Sequence, residues 1–154
     1  MMRIAGFLLL FPVFAGCVLP GTTLLPSGYE RLRLAAPLTL DPGQTRVEFQ
    51  QGRLVSGREI TVWMPVCALV FAPASETRRM VDPATWRITG MRQDYDAGGW
   101  MRGVTVYQTL FVLEGGADGP SRLECEVWRS PEQPQRPLED EEIRSATGGW
   151  LHLY

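Results

Sequence analysis

Residues 122–129 read Arg-Leu-Glu-Cys-Glu-Val-Trp-Arg. Apolar and charged side chains alternate here with a period of two. Successive side chains of an extended strand point to opposite faces, so Leu123, Cys125 and Val127 share one face, and Glu124 and Glu126 share the other. The stretch is a strand with a dry face and a wet face, and Cys125 stands among the dry residues. The same alternation recurs upstream. In Tyr29–Leu34, Leu32 and Leu34 alternate with Arg31 and Arg33, and in Thr45–Gln50, Val47 and Phe49 alternate with Arg46, Glu48 and Gln50.

Turn chemistry separates these runs. Asp41-Pro42-Gly43 lies between the first two. Gln51-Gly52 ends the second, and Arg53–Val55 is positioned to pair back on it. Thr61–Phe71 is nearly all apolar, but Pro65 cannot donate to a ladder and splits it. This predicts a strand at Val66–Phe71, central in its sheet and covered on both faces. Cys67 is in phase there with Leu69 and Phe71. The stretch 72–83, with Pro73, Pro83 and Arg78-Arg79, reads as a loop. Thr85–Tyr95, Arg102–Leu113 and Arg122–Arg129 read as a three-strand meander, the first two joined through Asp96-Ala97-Gly98-Gly99.

Beyond a proline-rich loop at 130–137, Leu138–Thr147 reads as a short helix. Acids at 139–142 crowd its first turns, where the helix dipole favours them, Arg144 sits late, and Gly148 can end it. Only Ile143 and Ala146 offer an inner face, which predicts a superficial helix. Trp150–Tyr154 alternates again and is expected to close the sheet. With 16 Gly and 12 Pro for turns, the fold class is mainly β. It is read as a single small antiparallel sandwich or open barrel of six to seven strands at 29–154, with one short C-terminal helix.

The first residues follow a different logic. Arg3 is the sole charge before an apolar run, Ile4–Phe14. As a helix that run is about 16 Å long, too short for a bilayer core of about 30 Å. A positive start, a short apolar core and small residues at its end describe a secretory signal. Phe14-Ala15-Gly16-Cys17 resembles the lipobox of bacterial lipoprotein precursors, with Phe in place of the usual Leu at the first position. The resemblance covers about the first seventeen residues. It implies a signal peptide at 1–16 and lipidation of Cys17 as the first mature residue, anchoring the chain in a membrane. The alternative is an ordinary cleaved signal with an incidental cysteine. Val18 follows Cys17. An Asp there would favour inner-membrane retention in enterobacterial lipoproteins, so the resemblance leans to the outer membrane, facing the periplasm. Residues 18–28 hold no charge and form a tether that reaches at most about 40 Å, which keeps the domain near the membrane.

With Cys17 set aside, Cys67 and Cys125 remain. An even remainder in an exported chain reads as one disulfide, in an oxidising compartment; two buried thiols are the alternative. The formal net charge is −2, and all 15 basic residues are Arg. A balance so near neutral argues against nucleic acid as a partner.

The order of elements carries a second resemblance. A strand ending Phe49-Gln50-Gln51-Gly52 precedes Cys67-Ala68-Leu69-Val70-Phe71. A long hairpin, Leu123-Glu124-Cys125, a short helix and Gly148-Gly149 follow, ahead of a terminal strand. This is similar to a group of uncharacterised proteobacterial exported proteins, and it implies architecture without a reaction.

The residues offer little catalytic chemistry. His152 is the single histidine, in strand phase with Trp150 and Tyr154, and no serine sits in a nucleophile elbow. Asp94 with Asp96, and Glu124 with Glu126, could serve as paired carboxylates on sugars; a solvated strand face is the plainer reading. The run Glu139–Glu142 lacks a calcium loop's alternating ligands. Met64, Met80, Met91 and Met101 are too scattered for a copper motif and read as core. Trp100 and Met101 lie at a hairpin tip, with Tyr95 and Tyr107 near. They form a candidate interaction patch, unless they pack back on a neighbouring loop. The expectation is a non-enzymatic, membrane-anchored lipoprotein that binds an envelope protein or supports an envelope assembly, without metal or cofactor. A carrier of a lipid or other apolar ligand, and an envelope hydrolase using the paired carboxylates, are the alternatives.

Overall fold

The computed structural model describes residues 28–97 and 103–154. The signal segment, Cys17, the tether up to residue 27, Trp100 and Met101 lie outside the described residues. Along the described chain the elements are β1 (Arg31–Leu34), β2 (Leu38–Leu40), β3 (Arg46–Gln50), β4 (Arg53–Val55), β5 (Val66–Phe71), β6 (Arg79–Val81), β7 (Thr85–Ala97), β8 (Thr105–Glu114), β9 (Pro120–Arg129), α1 (Asp140–Thr147) and β10 (Leu151–Leu153). Eight strands form one antiparallel sheet in the order β10-β1-β7-β8-β9-β5-β3-β4, curved into a half-barrel. The sheet therefore has one or two strands more than expected, and it is the open-barrel form of the predicted class.

The alternation in the sequence sets which side chains enter the core. Phe49, Cys67, Leu69, Phe111, Leu123, Cys125 and Val127 are all buried on the inner face. Cys67 and Cys125 stand directly opposite each other in the β5–β9 register. They are disulfide-bonded, with Cα atoms 4.0 Å apart. Every residue of β5 is buried, as a strand covered on both faces requires. On the outer face the small Ala68 and Val70 are flanked in register by Glu48, Glu124, Arg46 and Arg122. The stems of those long side chains lie along apolar surface while their charged ends pair with one another. Gln50, opposite Val66, is itself buried and ties down the loop before β5. Its amide accepts from the Thr61 N–H at 2.8 Å and donates to the Thr61 carbonyl at 2.8 Å.

Three features depart from the sequence expectation. The stretch read as a loop contains β6, which pairs with β2 in the register Leu38–Val81. Both strands are three residues long and sit among prolines, too short for alternation to register. The terminal strand β10 pairs with β1 alone and forms one edge of the sheet, while β4 forms the other, so the half-barrel stays open. The helix is not superficial. It contacts β3, β5 and β10 and buries Ile143, Ala146 and Thr147, which makes it the second layer over the inner face. Its end is set by Gly148, at φ +56°, whose N–H donates to the Arg144 carbonyl at 2.7 Å. Gly148 lies directly against Gly52 in the β3–β4 turn. A Cβ on Gly148 would stand 2.5 Å from the Gly52 Cα, so this approach requires glycine.

Met64 and Met80 are also not core residues. They are 39% and 66% exposed, Met64 in the loop before β5 and Met80 on the outside of the β2–β6 pair.

Candidate functional site

The register of β7 and β8 slips between Ile88 and Gly90, leaving Thr89 as an extra residue. Such a bulge changes the phase of the strand. Before it, Trp86 and Ile88 face inward. After it, Met91, Gln93 and Tyr95 do, opposite Phe111, Thr109 and Tyr107 respectively. These three cross-strand pairs form a strip on the inner face. It descends from the exposed Tyr95 and the half-buried Tyr107, whose ring centroids are 6.1 Å apart, through Gln93 and Thr109 to Met91 and Phe111. The lower part opens into a recess of about 180 Å³, walled on its far side by Tyr29, Leu138, Asp140 and Ile143.

The floor of the recess is apolar, but one polar group in its wall is unsatisfied. Thr109 is 1% exposed, and its hydroxyl has no hydrogen-bond partner among the described residues. A buried polar group left unpaired costs on the order of 1–3 kcal/mol. The volume is comparable to the roughly 150 Å³ apolar cavity that holds one benzene ring. The Thr109 hydroxyl oxygen itself lies behind this surface, fully buried.

The rim is held in place from two sides. Tyr29 packs edge-on against Phe111, centroids 6.1 Å apart. Burial, with the hydrogen bond and negative charge of Asp140, pushes the Tyr29 phenol up to about 12. The helix is tied to β9 by Glu142, which accepts from Nη2 of the buried Arg129 at 2.8 and 2.9 Å, from Nη1 of Arg136 at 3.0 Å, and from the Glu139 N–H at 3.0 Å. Burial alone would raise the Glu142 carboxyl, but the Glu139 N–H and the two guanidiniums outweigh it and hold the group below its ordinary range.

The residues singled out from the sequence fall in different places. Tyr95 is 67% exposed at the head of the strip, and Tyr107 lies beside it, half-buried. Asp94 and Asp96 lie on the opposite face of β7. Asp94 pairs with Arg92 at 3.6 Å and accepts the Tyr95 N–H at 2.9 Å. Glu124 and Glu126 are likewise on the outer face. Glu124 bridges Arg46 and Arg122, and Glu126 accepts from Gln108 and Trp128. His152 is exposed opposite Arg33. Glu139 is the residue before α1 and 140–142 are its first turn. Arg78 pairs with Asp41 at 2.9 Å, and Arg79 lies over the Phe71 ring at 5.2 Å. Met64 lies in the loop before β5, Met80 in β6 and Met91 in β7.

Among the described residues no group of three or more His, Cys, Asp or Glu is arranged to hold a metal ion, and no helix is long and apolar enough to cross a membrane. Sequence reading missed Gln93, Thr109 and Tyr29 as site residues. Thr109 carried a signal, as the one polar member of the inward series Tyr107, Thr109, Phe111. Gln93 carried none, because its inward orientation depends on the bulge. Comparison of the chain with protein-family models, curated proteins and solved structures finds no match.

Proposed function

We propose that this chain is a membrane-anchored periplasmic lipoprotein with a non-catalytic binding role in the cell envelope. It receives one ring-sized or side-chain-sized group of an envelope partner in the recess on the inner face of its half-barrel. The unpaired Thr109 hydroxyl beside the apolar floor is the observation that carries the binding role. The anchor rests on Phe14-Ala15-Gly16-Cys17, with lipidation at Cys17 and the periplasmic face of the outer membrane as the site of residence. The Cys67–Cys125 bridge supports an oxidising compartment. Of the carboxylates that a hydrolase would use, Asp94, Glu124 and Glu126 are engaged with Arg, Gln, Trp and backbone groups on the outer face. A recess of about 180 Å³ is the size of one ring and smaller than a lipid chain.

Two measurements on the full chain test the reading. Mass spectrometry of the mature N-terminus is expected to show an acylated Cys17 as first residue; an unmodified chain beginning elsewhere contradicts the anchor. Titration with phenol and with toluene, followed by NMR, is expected to shift resonances of Met91, Thr109 and Phe111, with phenol binding more tightly. Thr109→Val should erase that preference. Equal affinities in the parent chain, or shifts elsewhere, would contradict the binding site.

A further inference from the structure

Among the described residues, the sheet has a third unpartnered edge besides β4 and β10. The pairing of β1 with β7 ends at Arg31–Arg87, and the last bond across it is from the Ile88 N–H to the Glu30 carbonyl at 2.8 Å. Tyr29 then leaves the edge for the inner face, where it meets Phe111. β7 continues to Ala97. Among the described residues, its segment Gly90–Asp96 has β8 on one side and no strand on the other. A wide cleft between 29–31 and 85–90 marks the corner where β1 departs. An unpaired strand edge of this length is a template for another strand.

The sequence of this edge is self-complementary: Gly90-Met91-Arg92-Gln93-Asp94-Tyr95-Asp96. Two copies laid antiparallel with a two-fold axis through Gln93 set Arg92 of each opposite Asp94 of the other, both on the outer face. Met91 then meets Tyr95 on the inner face. Both opposite-charge pairs form at once, and opposite charges directly across a pair of strands attract. Moving the axis to Arg92 or to Asp94 sets like charges against each other at the axis, which repels. Gln93, Asp94, Tyr95 and Asp96 are all exposed in the single chain. We propose that the β7 edge is a homodimer interface, in which a second copy of this chain adds its own Gly90–Asp96 segment and the two half-barrels share one continuous sheet. An isologous contact of this kind closes on itself and does not propagate.

The test is made on the full chain in its native envelope. A cysteine in place of Gln93 lies on the proposed axis, so a short bis-thiol-reactive linker should yield a covalent dimer in Gln93→Cys. Gln108→Cys, exposed on β8 away from the edge, should give little. In the Gln93→Cys background, Asp94→Arg sets each new guanidinium opposite Arg92 of the other copy, and the dimer yield should fall on the order of tenfold. Adding Arg92→Asp exchanges the two charges and should restore it. Circular dichroism of each variant checks that the fold is retained. A Gln93→Cys yield no greater than that of Gln108→Cys overturns the proposal, as does a charge-exchanged variant that stays as low as Asp94→Arg alone. Capture at position 93 of a different protein and no second copy would assign the edge to another occupant and also overturn it.

Discussion

Glu142→Gln is the substitution that most sharply tests how the helix is held. Arg129 is 6% exposed, and Glu142 is the carboxylate that neutralises it. Removing one member of a fully buried ion pair costs about 3–5 kcal/mol, because the other charge is left without compensation. Here the Glu142 side chain keeps 21% exposure, which lets water replace part of the lost interaction. The glutamine carbonyl also still accepts the Glu139 N–H. The expected loss is therefore about 2–3 kcal/mol. In urea, with a slope of roughly 1.5 kcal/mol/M, that lowers the midpoint by roughly 1.3–2 M. The double variant Arg129→Met/Glu142→Gln removes the stranded charge and should be more stable than Glu142→Gln alone.

The pH dependence has a definite sign. The folded-state value of Glu142 lies below the ordinary 4.5. Its contribution is therefore complete above that pH and lost as pH falls through the lower folded value. The gap between parent and Glu142→Gln should accordingly narrow in acid. A midpoint shift under about 0.3 M at neutral pH, or a gap that widens in acid, would refute the reasoning.

Other consequences follow from the same geometry. Cys67→Ala/Cys125→Ala opens a 58-residue loop and should lower unfolding stability by up to about 4 kcal/mol in the chain-entropy model, measured by urea titration. Gly148→Ala forces both a positive φ on alanine and a clash with Gly52. It should destabilise by about 1–3 kcal/mol, more than the same change at a helix surface. Tyr29, at about 12, should ionise well after an ordinary tyrosine in a near-ultraviolet titration. Because its folded value is raised, its contribution is intact below the unfolded value of 10.0 and lost as pH rises towards 12.

Period-two alternation identified most strands, because strands such as β1, β3 and β9 bury one face, and phase fixes that face. Phase sets both Cys67 and Cys125 inward, which agrees with the bridge read from the even cysteine remainder once Cys17 is set aside. The uniform apolarity of Val66–Phe71 likewise announced a strand covered twice. What stayed hidden has physical causes. Three-residue strands such as Leu38–Leu40 are too short to show a period. The role of α1 depends on the curvature of the sheet: two apolar residues suffice when the concave face comes to meet them. The site was half legible. Tyr95 could be singled out as an aromatic at a hairpin end. The strip below it exists because the bulge at Thr89 turns Met91, Gln93 and Tyr95 inward, and a register slip of one residue leaves no mark in composition.

The most direct test of the account compares two neighbouring residues on opposite faces. A photo-crosslinking side chain is placed at Tyr95, on the inner strip, or at Asp94, on the outer face, in the full chain in living cells. Adducts are sorted by mass, so that a second copy is distinguished from any other component. The expected result is an adduct to a component other than a second copy from Tyr95, no adduct of that kind from Asp94, where only a second copy is captured, and a lower yield at Tyr95 when Thr109→Val is added. Equal yields of such foreign adducts from both positions, or none from Tyr95, would contradict it.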